Sequence, residues 1–155
     1  GAGNDTITGG QGQDQLTGGT GTNEFVFANG DGGTTAETID IITDFGTGTA
    51  NEIATGVAGN GDNYIEVAGA DPGAGGAVLS LAQAIFFGQN ALGTLGGGAQ
   101  QFAVVTNANT NTGGSVAASL TYAMIDWNGD DTVDDVIQLT GFTNLANISD
   151  ANFVV

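Results

Sequence analysis

The sequence predicts an all-β-dominated chain. Residues 1–45 should form a short array of stacked parallel strands, and residues 46–155 a β-rich domain with one short helix. Three observations carry this expectation. The first 27 residues divide without a gap into three blocks of nine: GAGNDTITG, GQGQDQLTG and GTGTNEFVF. Strand-like apolar runs recur later, at Gln101–Thr106 and Leu120–Asp126, with polar turn sequences between them. The composition is 40% apolar, enough for a packed interior, yet it contains 17 acidic residues and no lysine, arginine, histidine or cysteine.

That charge balance narrows the chemistry. A formal net charge of -17 cannot be offset by side-chain ion pairs, because no side chain is cationic. Water, hydrogen bonds or a bound cation must do it. A hard divalent ion such as calcium suits carboxylate, carbonyl and amide oxygens, whereas magnesium demands a stricter octahedron. Zinc and copper would recruit histidine or cysteine. Nucleic acid is excluded as a partner, since its phosphates need cationic contacts. Membrane insertion is not expected either, because no run of about 18 apolar residues is present. Gly1 already lies inside a repeat, so further turns and any leader are expected upstream.

Within the blocks, each residue type has a physical reason for its place. Gly3, Gly12 and Gly21 share one position, and Gly1, Gly10 and Gly19 another; glycine permits left-handed backbone and brings carbonyls together. Asp5, Asp14 and Asn23 share a third position and supply oxygen ligands. Ile7, Leu16 and Phe25 follow two residues later, each in a short strand with Thr6 and Thr8, or Gln15 and Thr17, facing outward. Stacking such turns aligns the apolar residues into a narrow core and the acids into an ion ladder. The alternative, a flexible Gly-rich linker, would not preserve the apolar position through three blocks.

These blocks resemble the nonapeptides of the RTX (repeats-in-toxin) family. The resemblance implies an RTX-type parallel β-roll with calcium held between successive loops. It implies that Asp5 and Asp14 are the principal side-chain ligands, framed by Gly1, Gly3, Gly10 and Gly12. Gly19, Gly21 and Asn23 would form a third, weaker or terminal site. Further on, IDIITDF at 39–45 resembles the segment that closes such rolls, which makes Asp40 and Asp44 ligands of a capping ion, with Glu37 as a contributor. The same residues also read as a solvated edge strand.

The remainder is coarser. Asn29–Gly33 reads as a turn, Glu52–Ile53 and Tyr64–Val67 as weak strands, and Asp62 and Asp71 as turn residues. Val78–Phe87 reads as the one helix, with Ser80 and Gln83 as a capping box, Leu81/Ile85 and Ala82/Phe86 as neighbouring pairs, and Gly88 as its end. Five acids lie between Asp126 and Asp135, where mutual repulsion favours a cation. Asp126, Asn128 and Asp130 match the first positions of an EF-hand loop. The rest of that pattern fails, with Asp131 at the glycine position and Ile137 at the glutamate. The run is more similar to an acidic hairpin of RTX C-terminal domains, closed by Asp134 or Asp135; a solvated hairpin tip is the alternative.

The tail resembles a type I secretion signal, on Asp150 and Phe153–Val155, although a closing edge strand fits the last three residues equally well. No catalytic residues are expected, because histidine, cysteine and lysine are all absent. The combined reading is a calcium-dependent folding and secretion module of an extracellular bacterial protein, surface-layer-like. Its expected partners are the type I secretion machinery, with self-assembly or cell-surface glycan beyond that. The alternative is the tail of a secreted adhesin, hydrolase or toxin, with Tyr122 and Trp127 as aromatic contact candidates for an adhesin.

Overall fold

The structure is a computed structural model that describes residues 1–45, 51–55, 80–96, 100–106, 120–141 and 152–154, and the backbone of 64–67. The predicted Asp62, Asp71 and Asp150, the turn at 59–63, the loop at 107–115 and Val155 lie outside the described residues.

Each nonapeptide holds a two- or three-residue strand and a Gly-rich bend, so consecutive strands are carried to opposite sides of the roll. Strand β1 (Thr6–Thr8) therefore pairs in parallel with β3 (Glu24–Val26), skipping the intervening strand. β3 pairs with β5 (Glu52–Ala54), and β5 with β10 (Phe153–Val154). On the other side β2 (Gln15–Leu16) pairs with β4 (Asp40–Ile42), and β4 with β9 (Asp135–Leu139), again in parallel. This second sheet then changes character. β9 runs antiparallel to β8 (Thr121–Asp126), β8 antiparallel to β7 (Gln101–Thr106), and β6 (Tyr64–Val67) lies parallel to β7 at the edge.

The register explains the core. Ile7 stands opposite Phe25, Phe25 opposite Ile53 and Ile53 opposite Phe153; Leu16 stands opposite Ile42, and Ile42 opposite Leu139. These rows meet between the two sheets with Phe27, Phe45, Phe102 and Trp127. Burying one such side chain contributes about 1.5–3 kcal/mol. Thr6, Thr8, Gln15 and Thr17 face outward as the repeat predicts. In the wide sheet the alternation continues: Phe102, Val104, Ala123 and Ile125 face the roll interior, while Ala103, Val105, Tyr122 and Met124 face a second core.

Helix α1 (Leu81–Leu92) covers that second core. Ser80 is its N-cap, and the expected capping box with Gln83 is present. Three features differ from the sequence reading, the first being that the helix begins at Leu81 after its Ser80 cap and not at Val78, which lies outside the described residues. The helix runs through Gly88 to Leu92 and closes at Gly93, and its buried stripe is Ala84, Gly88 and Leu92, with Phe86 exposed. Packing is the reason. A Cβ at Gly88 would collide with the Met124 sulfur, so glycine serves here as a contact surface and not as a stop. Phe153 does form an edge strand, and its ring stacks on Phe102 with centroids 5.1 Å apart. Both sheets run without interruption from the repeat segment into the later elements through β5 and β9.

Gly88→Ala should lower urea-unfolding stability by about 1–3 kcal/mol through overpacking, although alanine ordinarily favours a helix by roughly 0.5–1 kcal/mol. An increase in stability would mean that α1 stands further from β8 than described.

Candidate metal centre

The repeat places an Asp or Asn at or immediately before the start of each strand of the roll, so these residues stack into a column at each end. One column is Asp5, Asn23 and Asn51, entering β1, β3 and β5; Asn152, before β10, lies one residue out of that register. The other begins with Asp14 and Asp40, entering β2 and β4, with Asp135 at the start of β9 beyond them.

The first column is mostly neutral. The Asp5 amide donates to Asn23 Oδ1 (3.2 Å), and the Asn23 amide donates to Asn51 Oδ1 (3.0 Å). Asn23 Nδ2 also donates to Asn51 Oδ1 (3.3 Å), Asn51 Nδ2 to the Phe45 carbonyl (3.2 Å), and Asn152 Nδ2 to the Asn51 carbonyl (2.8 Å). Each carboxamide carries both donor and acceptor, so it can be buried, as Asn23 and Asn51 are, without any charge to neutralise. The loops above are packed directly together. Thr20 donates to the Gly1 carbonyl (3.0 Å) and Gly3 to the Thr20 carbonyl (2.8 Å). Gly19 and Gly21 have positive φ, and a Cβ on either would collide with the carbonyl oxygen of Gly1 or Gly3.

The second column keeps its charges. Gly12 donates to the Asp31 carbonyl (3.2 Å), and the Asp14 amide donates to Asp40 Oδ1 (2.8 Å). Asp40 is 0% exposed, and its Oδ2 has no hydrogen-bond partner among the described residues. Burial, together with the charges of Asp14, Asp31 and Asp135, pushes the Asp40 carboxyl up from 3.8 to about 6 against the lowering effect of the Asp14 amide. Asp135 is also raised by burial, opposed by hydrogen bonds from Trp127 Nε1 (2.6 Å) and the Gly30 amide (3.1 Å), both to Oδ2. Beside Gly32, one point at the site of an added Cβ is 3.6 Å from Asp40 Oδ2, 3.6 Å from Asp135 Oδ1 and 3.7 Å from the Val136 carbonyl oxygen.

The other sequence candidates take different surroundings. Asp44 accepts from the Gly18 (3.0 Å) and Gly19 (2.7 Å) amides, tying the Gly18–Gly19 bend to the end of β4. Glu37 is exposed. In the β8–β9 connection, Asp126 Oδ1 accepts from the amides of Asn128 (3.2 Å), Gly129 (2.7 Å) and Asp130 (3.3 Å), and Oδ2 from Asp131 (2.8 Å). Asn128 and Asp130 cap the amides of Asp130 and Thr132, and Asp134 caps that of Trp127. Backbone amides thus meet much of the charge that the sequence assigned to a cation. Asp134 and Asp135, which the sequence could not separate, part company here: Asp134 stays with the hairpin and Asp135 reaches the roll. Tyr122 and Trp127 are buried, so neither offers an exposed aromatic contact.

Among the described residues no three carboxylates gather around one point. A cation here must therefore draw on backbone oxygens as well, which calcium accepts. The all-oxygen surroundings and the unpartnered, buried Asp40 oxygen fit that ion. Sequence reading missed Asn51, Asn152, Gly30, Asp31 and Gly32; the recurring NEF and NEI at 23–25 and 51–53 would have revealed the first.

Residues 1–25 match the family model of the RTX calcium-binding nonapeptide repeat (four copies), so the N-terminal segment carries repeats of a calcium-binding family. No curated protein and no solved structure matches the chain.

Without calcium, stability should fall as pH rises from about 4 to about 6. Asp40 and Asp135 have raised folded-state pKa values, so the fold binds their protons more tightly than the unfolded chain, and that advantage is lost once both states ionise. Urea unfolding in chelator across this range would check it; a rise with pH would place these carboxylates in a stabilising, ionised state.

Proposed function

We propose that the chain is a calcium-dependent folding and secretion module of an extracellular bacterial protein, non-catalytic and of surface-layer type. The observation that carries the reading is the match of residues 1–25 to calcium-binding repeats, together with the stacked Asx columns those repeats build. RTX repeat proteins are associated with type I secretion, and no helix among the described residues is long and apolar enough to cross a membrane.

In this reading the ligands are carboxylates and backbone oxygens at the loops: Gly1, Gly3, Asp5, Gly19, Gly21 and Asn23 at one end, and Gly10, Gly12, Asp14 and Asp40 at the other. Asp44 closes the array, and Asp126, Asn128, Asp130, Asp134 and Asp135 extend it into the cap. Calcium supplies positive charge that the composition lacks, so ion affinity and folding free energy become one linked quantity. A chain with a net charge of -17 stays expanded by self-repulsion where calcium is scarce, a state suited to export. It folds where calcium is plentiful. Assembly into a layer, with calcium bridging acidic surfaces of neighbouring copies, is the finer part of the proposal.

A calcium titration followed by circular dichroism, with magnesium at equal ionic strength as control, tests the folding step. β signal should rise cooperatively with calcium alone, and Asp14→Ala should shift the midpoint to higher calcium more than Asp62→Ala. Equal midpoints for the two variants, or an equal response to magnesium, would overturn the assignment.

A further inference from the structure

We infer that the seam between the roll and the C-terminal hairpin is a divalent-cation site of its own, formed by Asp40 Oδ2, Asp135 Oδ1 and the Val136 carbonyl around Gly32, and that its ion locks the hairpin onto the roll. This deepens the proposed function and rests on it for the identity of the ion, calcium. It differs from a repeat site in its ligands: one comes from the roll, and two come from β9, far along the chain.

The argument has three parts. The first is the unpartnered oxygen. Asp40 is fully buried, its Oδ1 is bonded to the Asp14 amide, and its Oδ2 faces the seam with no hydrogen-bond donor among the described residues. A buried carboxylate oxygen left this way is costly unless a cation or proton meets it.

The second is convergence. Asp135 is held in place by its other oxygen, through Trp127 Nε1 and the Gly30 amide, and this leaves Oδ1 aimed at the same point beside Gly32. The Val136 amide bonds the Gly33 carbonyl (3.0 Å), which fixes the adjoining Val136 carbonyl at the seam. Two carboxylates and a carbonyl form a hard-oxygen donor set that suits calcium, with water completing the shell.

The third is the glycine. Gly32 presents no side chain to the three oxygens, and a Cβ there would make only ordinary contacts of 3.6–3.7 Å. Packing therefore does not require glycine at this position. An ion placed among these oxygens, with its water, would use the space that a side chain here would take.

Trp127 is the only tryptophan, and its indole donates to Asp135, so it lies directly against this seam. The test uses terbium, a hard cation that replaces calcium on oxygen ligands. It is excited through indole at wavelengths where tyrosine does not absorb, with calcium as competitor and circular dichroism recorded in parallel. The whole chain should give Trp127-sensitised emission that calcium displaces. Gly32→Ala should keep the β signal in calcium and weaken the sensitised site roughly tenfold to a hundredfold, the scale of loss for a disturbed metal site. Asp135→Asn should lose it as well.

Unchanged affinity in Gly32→Ala would overturn the inference. So would emission lost in Asp130→Asn but kept in Gly32→Ala, which would put the ion at the hairpin tip. Calcium-induced folding without any sensitised emission would overturn the seam site and leave the proposed function standing. Absence of calcium-induced folding would overturn both.

Discussion

Asp40 enters the roll with one oxygen bonded to the Asp14 amide and the other facing Asp135 across Gly32, in a chain that owns no cationic side chain. Both carboxyls are raised by burial, so each is held where ionisation is unfavourable. Strand β4 carries Asp40 in the second sheet, and β9, which begins with Asp135, is its neighbour. The pairing that joins the repeats to the rest of the protein therefore brings two reluctant carboxylates together. Meeting their charge, by a proton or by a metal, therefore favours the closed seam. This makes the junction, and not the apolar core alone, the point on which the architecture turns.

The opposite end of the roll shows what the same backbone does without that demand. There Asn23 and Asn51 occupy the positions of the aspartates, and their carboxamides bond one another and the neighbouring backbone. A neutral ladder is self-sufficient, because each rung brings its own donor. An acidic ladder is not. The single repeat design thus yields one end whose Asn23 and Asn51 rungs hold one another by hydrogen bonds, with charge only at Asp5, and one end that is acidic at every rung and more strongly linked to an external ion. Such a division is consistent with the calcium-coupled folding proposed above.

Much of this was legible in the sequence, and the reasons are local. The nine-residue period fixes which strands can meet, so Ile7, Leu16 and Phe25 could be assigned to the core from spacing alone. The capping box at Ser80 and Gln83 is short-range chemistry and was equally readable. What could not be read depends on contacts between distant segments. Gly88 resembled a helix stop because nothing local announces Met124 beneath it. Asp134 and Asp135 are adjacent, and only the folded end of the β8–β9 connection, where β9 begins at Asp135, sends one to the Trp127 amide and the other to the Gly30 amide. The acids at 126–131 looked like unmet charge, since the amides that bond Asp126 become available only when the loop has turned. Gly32 carried no signal at all, because its significance is the space it leaves.

The most direct measurement is the calcium-free stability of Asp40→Asn against the unaltered chain, by urea unfolding at neutral pH. Asparagine retains an oxygen for the Asp14 amide and brings an Nδ2 donor to the side facing Asp135 Oδ1 and the Val136 carbonyl, reproducing at this end what Asn23 does at the other. The account predicts that the variant is more stable than the unaltered chain without calcium and gains less when calcium is added. A variant less stable without calcium would show that the ionised Asp40 is stabilising as it stands, and would contradict the account.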